Sequence, residues 1–208
     1  MSTQEAWMWV ITRLALVAVT ALAVLAPGAA RSAPAFTTKY SYYVVSGGSA
    51  TSIFASLLRH SLRVNGRTHH AITEISISRP KVIRSARGCS VNGLPVRFLI
   101  RLPKLGNEAS LSAKDRRLWQ QFSTFVRRHE ERHRTIWMGC ARSIEANLQA
   151  KSCGEIQRTM QRVIDQAKAA CRKKDAAFDA AEQNRLNNHP FIKSALAPIY
   201  AHPKKFRN

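Results

Sequence analysis

His129, Glu130 and His133 spell His-Glu-x-x-His, and their types and spacing are those of a zinc hydrolase. On a helix, a four-residue step sets two imidazoles on one face, where one neutral ring nitrogen from each can reach a single divalent ion. A glutamate beside them can take a proton from water that the ion has acidified. The pattern therefore assigns His129 and His133 to the metal and Glu130 to general-base catalysis. Zn²⁺ is the expected metal, and a peptide or protein is the expected substrate. A pair of core histidines satisfied by hydrogen bonds is the plainer alternative.

A catalytic zinc site needs three protein ligands and one open position, and the motif supplies two. A partner helix running back antiparallel from a turn near residue 152 passes the histidines at about residues 171–175 if regular, and an offset of a turn or two brings Asp175, Asp179 and Glu182 within reach. Glu182 is the first choice for the third ligand and Asp179 the second. His189 serves if the chain folds back beyond that helix. A second carboxylate could accept a proton from the far nitrogen of a ligating histidine. His60, His69, His70 and Tyr43 are candidates for the oxyanion donor by residue type alone, and His69-His70 also reads as a surface or pH-responsive pair.

The elements that must position these groups fall into two halves. From Leu118, steps of three and four give Phe122, Phe125, His129, His133, Ile136, Cys140, Ile144 and Leu148, a core-facing stripe interrupted by the two histidines. Ser112 and Asp115 resemble a capping box at its start, and the helix is expected to run to about residue 150. A second helix follows over about 155–186, and Asn187-Asn188-His189-Pro190 ends it. The first half reads as strands at 40–45, 71–77 and 95–102 around one short helix at 49–62, with a turn near Gly88. The fold class is α+β: a small, mostly antiparallel sheet with one short helix, then a long two-helix hairpin carrying the motif, in the manner of zincins.

Residues 1–35 read as a signal peptide. Arg13 precedes the apolar run 14–26, Pro27 and Gly28 break it, and Ala33-Pro34-Ala35 offers a cleavage pattern, with Ala30 as a second option. A membrane anchor starting near Trp7 would place Arg13 inside the bilayer, so no stable transmembrane segment is expected after processing. The domain is then expected at 36–190, with 191–208 as a basic tail.

All four cysteines, Cys89, Cys140, Cys153 and Cys171, lie in the mature part. Their spacing fits neither a zinc knuckle nor a thioredoxin pair, so two disulfides in an exported protein are expected. A hairpin turning near Lys151 lets Cys140 face Cys171 and leaves Cys89 for Cys153. With 33 Lys and Arg against 12 Asp and Glu, the chain carries a formal charge of +21. Such a field draws a periplasmic or extracellular protein to anionic envelope surfaces. Nucleic acid is not the expected partner, because the basic residues are scattered without aromatic stacking platforms. A non-catalytic metal-stabilised envelope domain and a basic module binding anionic polymers are the competing functions.

The order of several features is also similar to a known family. Tyr43-Val-Val-Ser-Gly47, Ala71-Ile-Thr-Glu-Ile75, Gly88-Cys-Ser-Val91, Leu102-Pro103, Trp119-x-x-Phe122, the His129–His133 motif and Cys153 together resemble the bacterial predicted secreted zinc-dependent proteases (domain of unknown function 922) over nearly all of residues 40–186. The resemblance implies a metal-dependent peptidase and says little about substrate. It also implies a distal Tyr-Asp-x-x-Thr-x-His-Gly segment. Here Phe178-Asp179-Ala-Ala-Glu182-Gln-Asn184-Arg185 keeps the aspartate, while Glu182, Asn184 and Arg185 stand at the Thr, His and Gly positions. That departure removes the residue type of the family's distal ligand.

Overall fold

The computed structural model describes residues 33–64, 66–85, 88–149 and 152–201. Residues 1–32 of the proposed signal segment (1–35) and residues 202–208 lie outside the described residues. Strands β1 (Ala35–Val45) and β7 (Pro95–Leu105) pair in parallel over eleven residues, from Ala35 opposite Pro95 to Val45 opposite Leu105. β4 (Ile72–Ile77) pairs antiparallel with β7 from the other side, giving the sheet order β1-β7-β4. Two short antiparallel hairpins, β2 (Leu62–Val64) with β3 (Arg67–His69) and β5 (Lys81–Ser85) with β6 (Gly88–Asn92), complete the strands among the described residues. Three of these four pairings are antiparallel, as expected. The parallel ladder has no local signal in the sequence, because its two strands are joined by everything between Val45 and Pro95.

Helix α1 (Ala50–His60) begins at Ser49, which forms a capping box with Ser52. Gly47 enters this turn at φ +154°, where an added Cβ would sit 2.5 Å from the Ile53 amide nitrogen. After a single 3₁₀ turn at Glu108–Ser110, α2 spans Ala113–Gln149. Ser112 Oγ accepts from the Asp115 amide at 3.0 Å and donates to Asp115 Oδ2 at 2.8 Å, so the expected start is in place. α3 (Cys153–Asn187) opens on a Ser152–Glu155 capping box and runs back along α2.

The end of the chain differs from the expected tail. Residues Pro190–Ala201 form a further helix, α4, in which Phe191, Ile192 and Ala195 are buried. Pro190 starts this helix as well as ending the previous one, because a proline at the first helical position gives up an amide that has no intrahelical partner. Phe191 stacks on Phe122 at 4.7 Å and meets Trp119 edge-on at 5.7 Å. Thr51 Oγ1 donates to the Ala195 carbonyl at 3.1 Å, tying α4 to α1.

Two hydrophobic cores result. One joins α1, the C-terminal half of β7, the start of α2 and α4 around Ile53, Ile100, Trp119 and Phe122. The other joins β6, the N-terminal half of β7, the end of α2 and α3 around Phe98, Trp137, Ile144 and Ile156. Both disulfides lie on the second side: Cys140–Cys171 clamps α2 to α3, and Cys89–Cys153 ties β6 to the start of α3. All four cysteines are paired, which fits an oxidising compartment. No described helix is long and apolar enough to cross a membrane.

Candidate metal centre

The buried face of α2 is wider than the expected stripe. Phe122, His133, Cys140, Ile144 and Leu148 of that stripe are buried and Leu118, Phe125, His129 and Ile136 only partly so, while Trp119, Val126, Glu130 and Trp137 form a further buried row. The helix is covered on two sides, and each row meets a different neighbour. Glu130 turns toward the sheet, where Thr73 Oγ1 on β4 donates to its Oε2 at 2.8 Å and lies 3.1 Å from its backbone carbonyl. His129 turns toward α3, its ring stacked on Phe178 at 4.8 Å. His133 lies between, with its ring edge-on to Phe178 at 5.1 Å. The motif therefore sits in the gap between the two cores.

Across the hairpin, α3 presents Asp175, Phe178, Asp179 and Glu182 at helical spacing on one face. Asp179 Oδ1 lies 3.2 Å from His129 Nε2 and 3.0 Å from His133 Nε2, and the two ring nitrogens are 3.0 Å apart. His133 Nδ1, on the far side of the ring, donates to Asp175 Oδ1 at 2.7 Å. Asp175 thereby fixes the tautomer and aims Nε2 into the triangle. Glu182 lies about one turn beyond Asp179 and accepts from Arg185 Nη1 at 2.7 Å, an ion pair that occupies it away from the triangle. His189 is held in an aromatic pocket by Phe122 and Phe125, and its Nδ1 accepts from the Phe191 amide at 3.2 Å, so it caps α4. Tyr43 donates to the His70 carbonyl at 2.6 Å, and His60 Nδ1 bonds the Ser56 carbonyl at 2.9 Å. Neither has its polar group turned to the triangle.

Electrostatics match the geometry. Burial pulls the His133 imidazole down, but its bonds to Asp175 and Asp179 outweigh burial and push its pKa up to about 10. Burial pushes the Asp179 carboxyl up, and the two imidazoles outweigh that and hold it well below the usual carboxylate range. Burial likewise pushes the Glu130 carboxyl up, with the Thr73 hydroxyl restraining it in part. Carboxylates thus surround the point where the three donor atoms converge, which favours positive charge there.

The donor set suits zinc. Ligands at 2.0–2.1 Å from a tetrahedral ion lie about 3.3 Å from one another, close to the observed triangle edges. His129, Glu130 and His133 also each present a donor atom within 4.8 Å of the others. Glu130 is drawn aside by Thr73, whereas Asp179 closes the tighter triangle. Asp179 is half-exposed, so the cluster opens to solvent on that side.

Thr73, Phe178 and the position of Asp175 are the parts that motif reading passes over. Thr73 did carry a signal. It stands in the inward phase of a strand whose other inward residues, Ala71, Ile75 and Ile77, are apolar, and an inward hydroxyl needs a partner.

No curated protein and no solved structure matches the chain. A family profile described as a bacterial protein of unknown function (DUF922) matches residues 40–188, from the middle of β1 to the end of α3. With most of its length covered, including every residue of the cluster, the chain belongs to that bacterial family of unknown function, and within it carries a His-Glu-x-x-His group able to hold a metal ion.

Proposed function

We propose that the chain is an exported zinc-dependent metallopeptidase that hydrolyses peptide bonds in the periplasm or outside the cell. The observation that carries this reading is the near-equilateral triangle of His129 Nε2, His133 Nε2 and Asp179 Oδ1, with Asp175 behind His133. In this reading Asp179, rather than Glu182, is the third ligand. A zinc ion bound there supplies Lewis acidity to a scissile carbonyl and acidifies the attacking water. Asp175 holds the His133 ring in one tautomer. Thr73 holds one oxygen of Glu130, leaving the carboxylate to accept a proton from water and pass it to the leaving amine. Burial, by raising the Glu130 pKa, makes it a stronger base. β4 is an edge strand of its sheet beside the motif, where an extended substrate could add by main-chain hydrogen bonds. A signal segment at 1–35, two disulfides and the strongly basic composition support export and retention at an anionic envelope.

Glu130 is only 4 % exposed, which favours a second reading, a metal-stabilised domain without catalysis. Metal analysis of the purified protein, with cleavage of casein or a peptide library by wild type and Glu130→Gln, separates the two. Cleavage by wild type that is lost in Glu130→Gln with metal retained supports the enzyme. Metal binding with no cleavage in either protein supports the second reading, and absence of metal binding removes both.

A further inference from the structure

Beside His129 the space between the first half of α2 and the end of α3 opens into a groove of about 680 Å³. Its lining combines the rings of Phe125, Phe178 and His129 with Arg117, Arg128, Arg132 and Arg185, alongside neutral polar side chains of α2. The basic side chains are not scattered here. Arg117, Arg128 and Arg132 project from one helical row, and Arg185 comes from across the hairpin. Glu182 is the one carboxylate in the lining, and Arg185 already pairs with it. Among the described residues Arg117, Arg128 and Arg132 are in no ion pair, although Glu131 on the neighbouring face engages Arg127.

Resting on the peptidase reading, we propose that this groove selects the substrate: it binds Asp and Glu side chains of an extended peptide running away from the metal centre along α2. Guanidinium groups set among aromatic rings recognise carboxylates in paired geometry, and the rings take the aliphatic part of the chain. Arg128 and Arg132 flank His129, whereas Arg117 lies about 18 Å farther along the helix axis. An extended peptide covers that distance in about five or six residues. The preferred acidic positions therefore lie within that many residues of the scissile bond, on one side of it. A concave groove whose lining includes His129 fits a peptide chain better than a flat anionic surface.

The test uses quenched fluorescent peptides that differ only in whether one flank carries Asp and Glu, Asn and Gln, or Lys. Cleavage is measured with zinc-loaded protein, and binding of the same peptides to Glu130→Gln is measured by anisotropy. The acidic peptide should have a KM, and a Kd with Glu130→Gln, lower than the amide peptide by on the order of tenfold. Arg128→Gln/Arg132→Gln should abolish that preference. Arg162→Gln/Arg172→Gln, which removes the same charge from exposed positions on α3 outside the groove, should leave it unchanged. Equal binding of acidic and amide peptides overturns the proposal, as does an equal loss in both double variants, which would reduce the effect to the general field. Binding to phosphatidylglycerol vesicles that needs Arg128 and Arg132 while the acidic peptide is ignored also overturns it and makes the groove a membrane contact. If no peptide is cleaved but Glu130→Gln still selects the acidic one through Arg128 and Arg132, the groove stands and the peptidase reading falls.

Discussion

Replacing Asp175 by Asn tests whether the triangle is a metal centre or only a buried ion-pair cluster. The carboxylate touches no other part of the triangle. It acts on the metal only through His133, whose Nδ1 it holds at 2.7 Å. A charge-assisted hydrogen bond of this kind contributes about 1.5–3 kcal/mol. An asparagine oxygen can still accept, so the substitution removes the charged share and keeps the shape. About half the bond, roughly 1 kcal/mol, corresponds to a loss of several-fold to tenfold in zinc affinity, and Asp175→Ala should approach 100-fold. Asp179→Asn should lose more than Asp175→Asn, because its oxygen lies within 3.2 Å of both ring nitrogens. Glu182→Gln should stay within about threefold of wild type, since its partner is Arg185. Competition against a chromogenic zinc chelator measures all four after metal removal. Wild-type affinity in Asp175→Asn would refute the carboxylate–histidine arrangement. A larger loss in Glu182→Gln than in Asp179→Asn would hand the third ligand to Glu182.

Three further outcomes are expected. Thr73→Val removes the hydroxyl that holds Glu130 Oε2 at 2.8 Å, and should lower kcat/KM by roughly 5- to 30-fold with zinc content unchanged, while Thr73→Ser restores most of the activity. His70 is partly buried against Phe54 and Phe122, its Nδ1 is enclosed without a partner, and burial lowers its pKa below the ordinary 6.5. The folded state then binds fewer protons than the unfolded state below that pH, so its contribution is intact above about 6.5 and is lost on acidification. Denaturant melts of His70→Phe should accordingly show a smaller loss of stability between about pH 7 and pH 5 than wild type. Phe191→Ala should cost about 3–5 kcal/mol in the same melts, whereas an unstructured tail would give no change.

The motif was legible because its chemistry is local: three residue types at fixed helical spacing specify a shared face without knowledge of the rest of the fold. The hairpin and its Cys140–Cys171 bridge were legible for a related reason, since a turn near Lys151 sets which residues of two antiparallel helices can meet. Which carboxylate of α3 lies against the two histidines was not legible to the residue. Asp179 and Glu182 share one face of α3 and differ by about 4.5 Å along its axis, so a shift of less than one turn exchanges them. Composition cannot settle that register. The clamp at Cys171 and the packing of Phe178 against both histidines settle it in the folded protein. α4 hid for another reason. Pro190 after two asparagines reads as a stop, and the buried set Phe191, Ile192 and Ala195 is too short to announce a helix before its core is known.

The placement of the cluster also couples it to folding. Glu130 and His133 are buried polar groups on a helix between two hydrophobic cores, and burial of such groups is unfavourable unless each finds a partner. The partners come from different elements: Thr73 from the sheet, Asp175 and Asp179 from α3. None of them is local in sequence to the motif, so the donor atoms converge only after sheet, α2 and α3 have assembled. In the unfolded chain His129 and His133 remain four residues apart with Glu130 and Glu131 between them, but Asp175 and Asp179 are not held beside them. A divalent ion that requires Asp179 must therefore bind the folded state in preference and stabilise the hairpin against opening. The half-exposed position of Asp179 has the opposite effect on access, because it leaves the cluster open to solvent there. One arrangement thus ties sheet, α2 and α3 together through the cluster and still leaves one of its donors half-exposed.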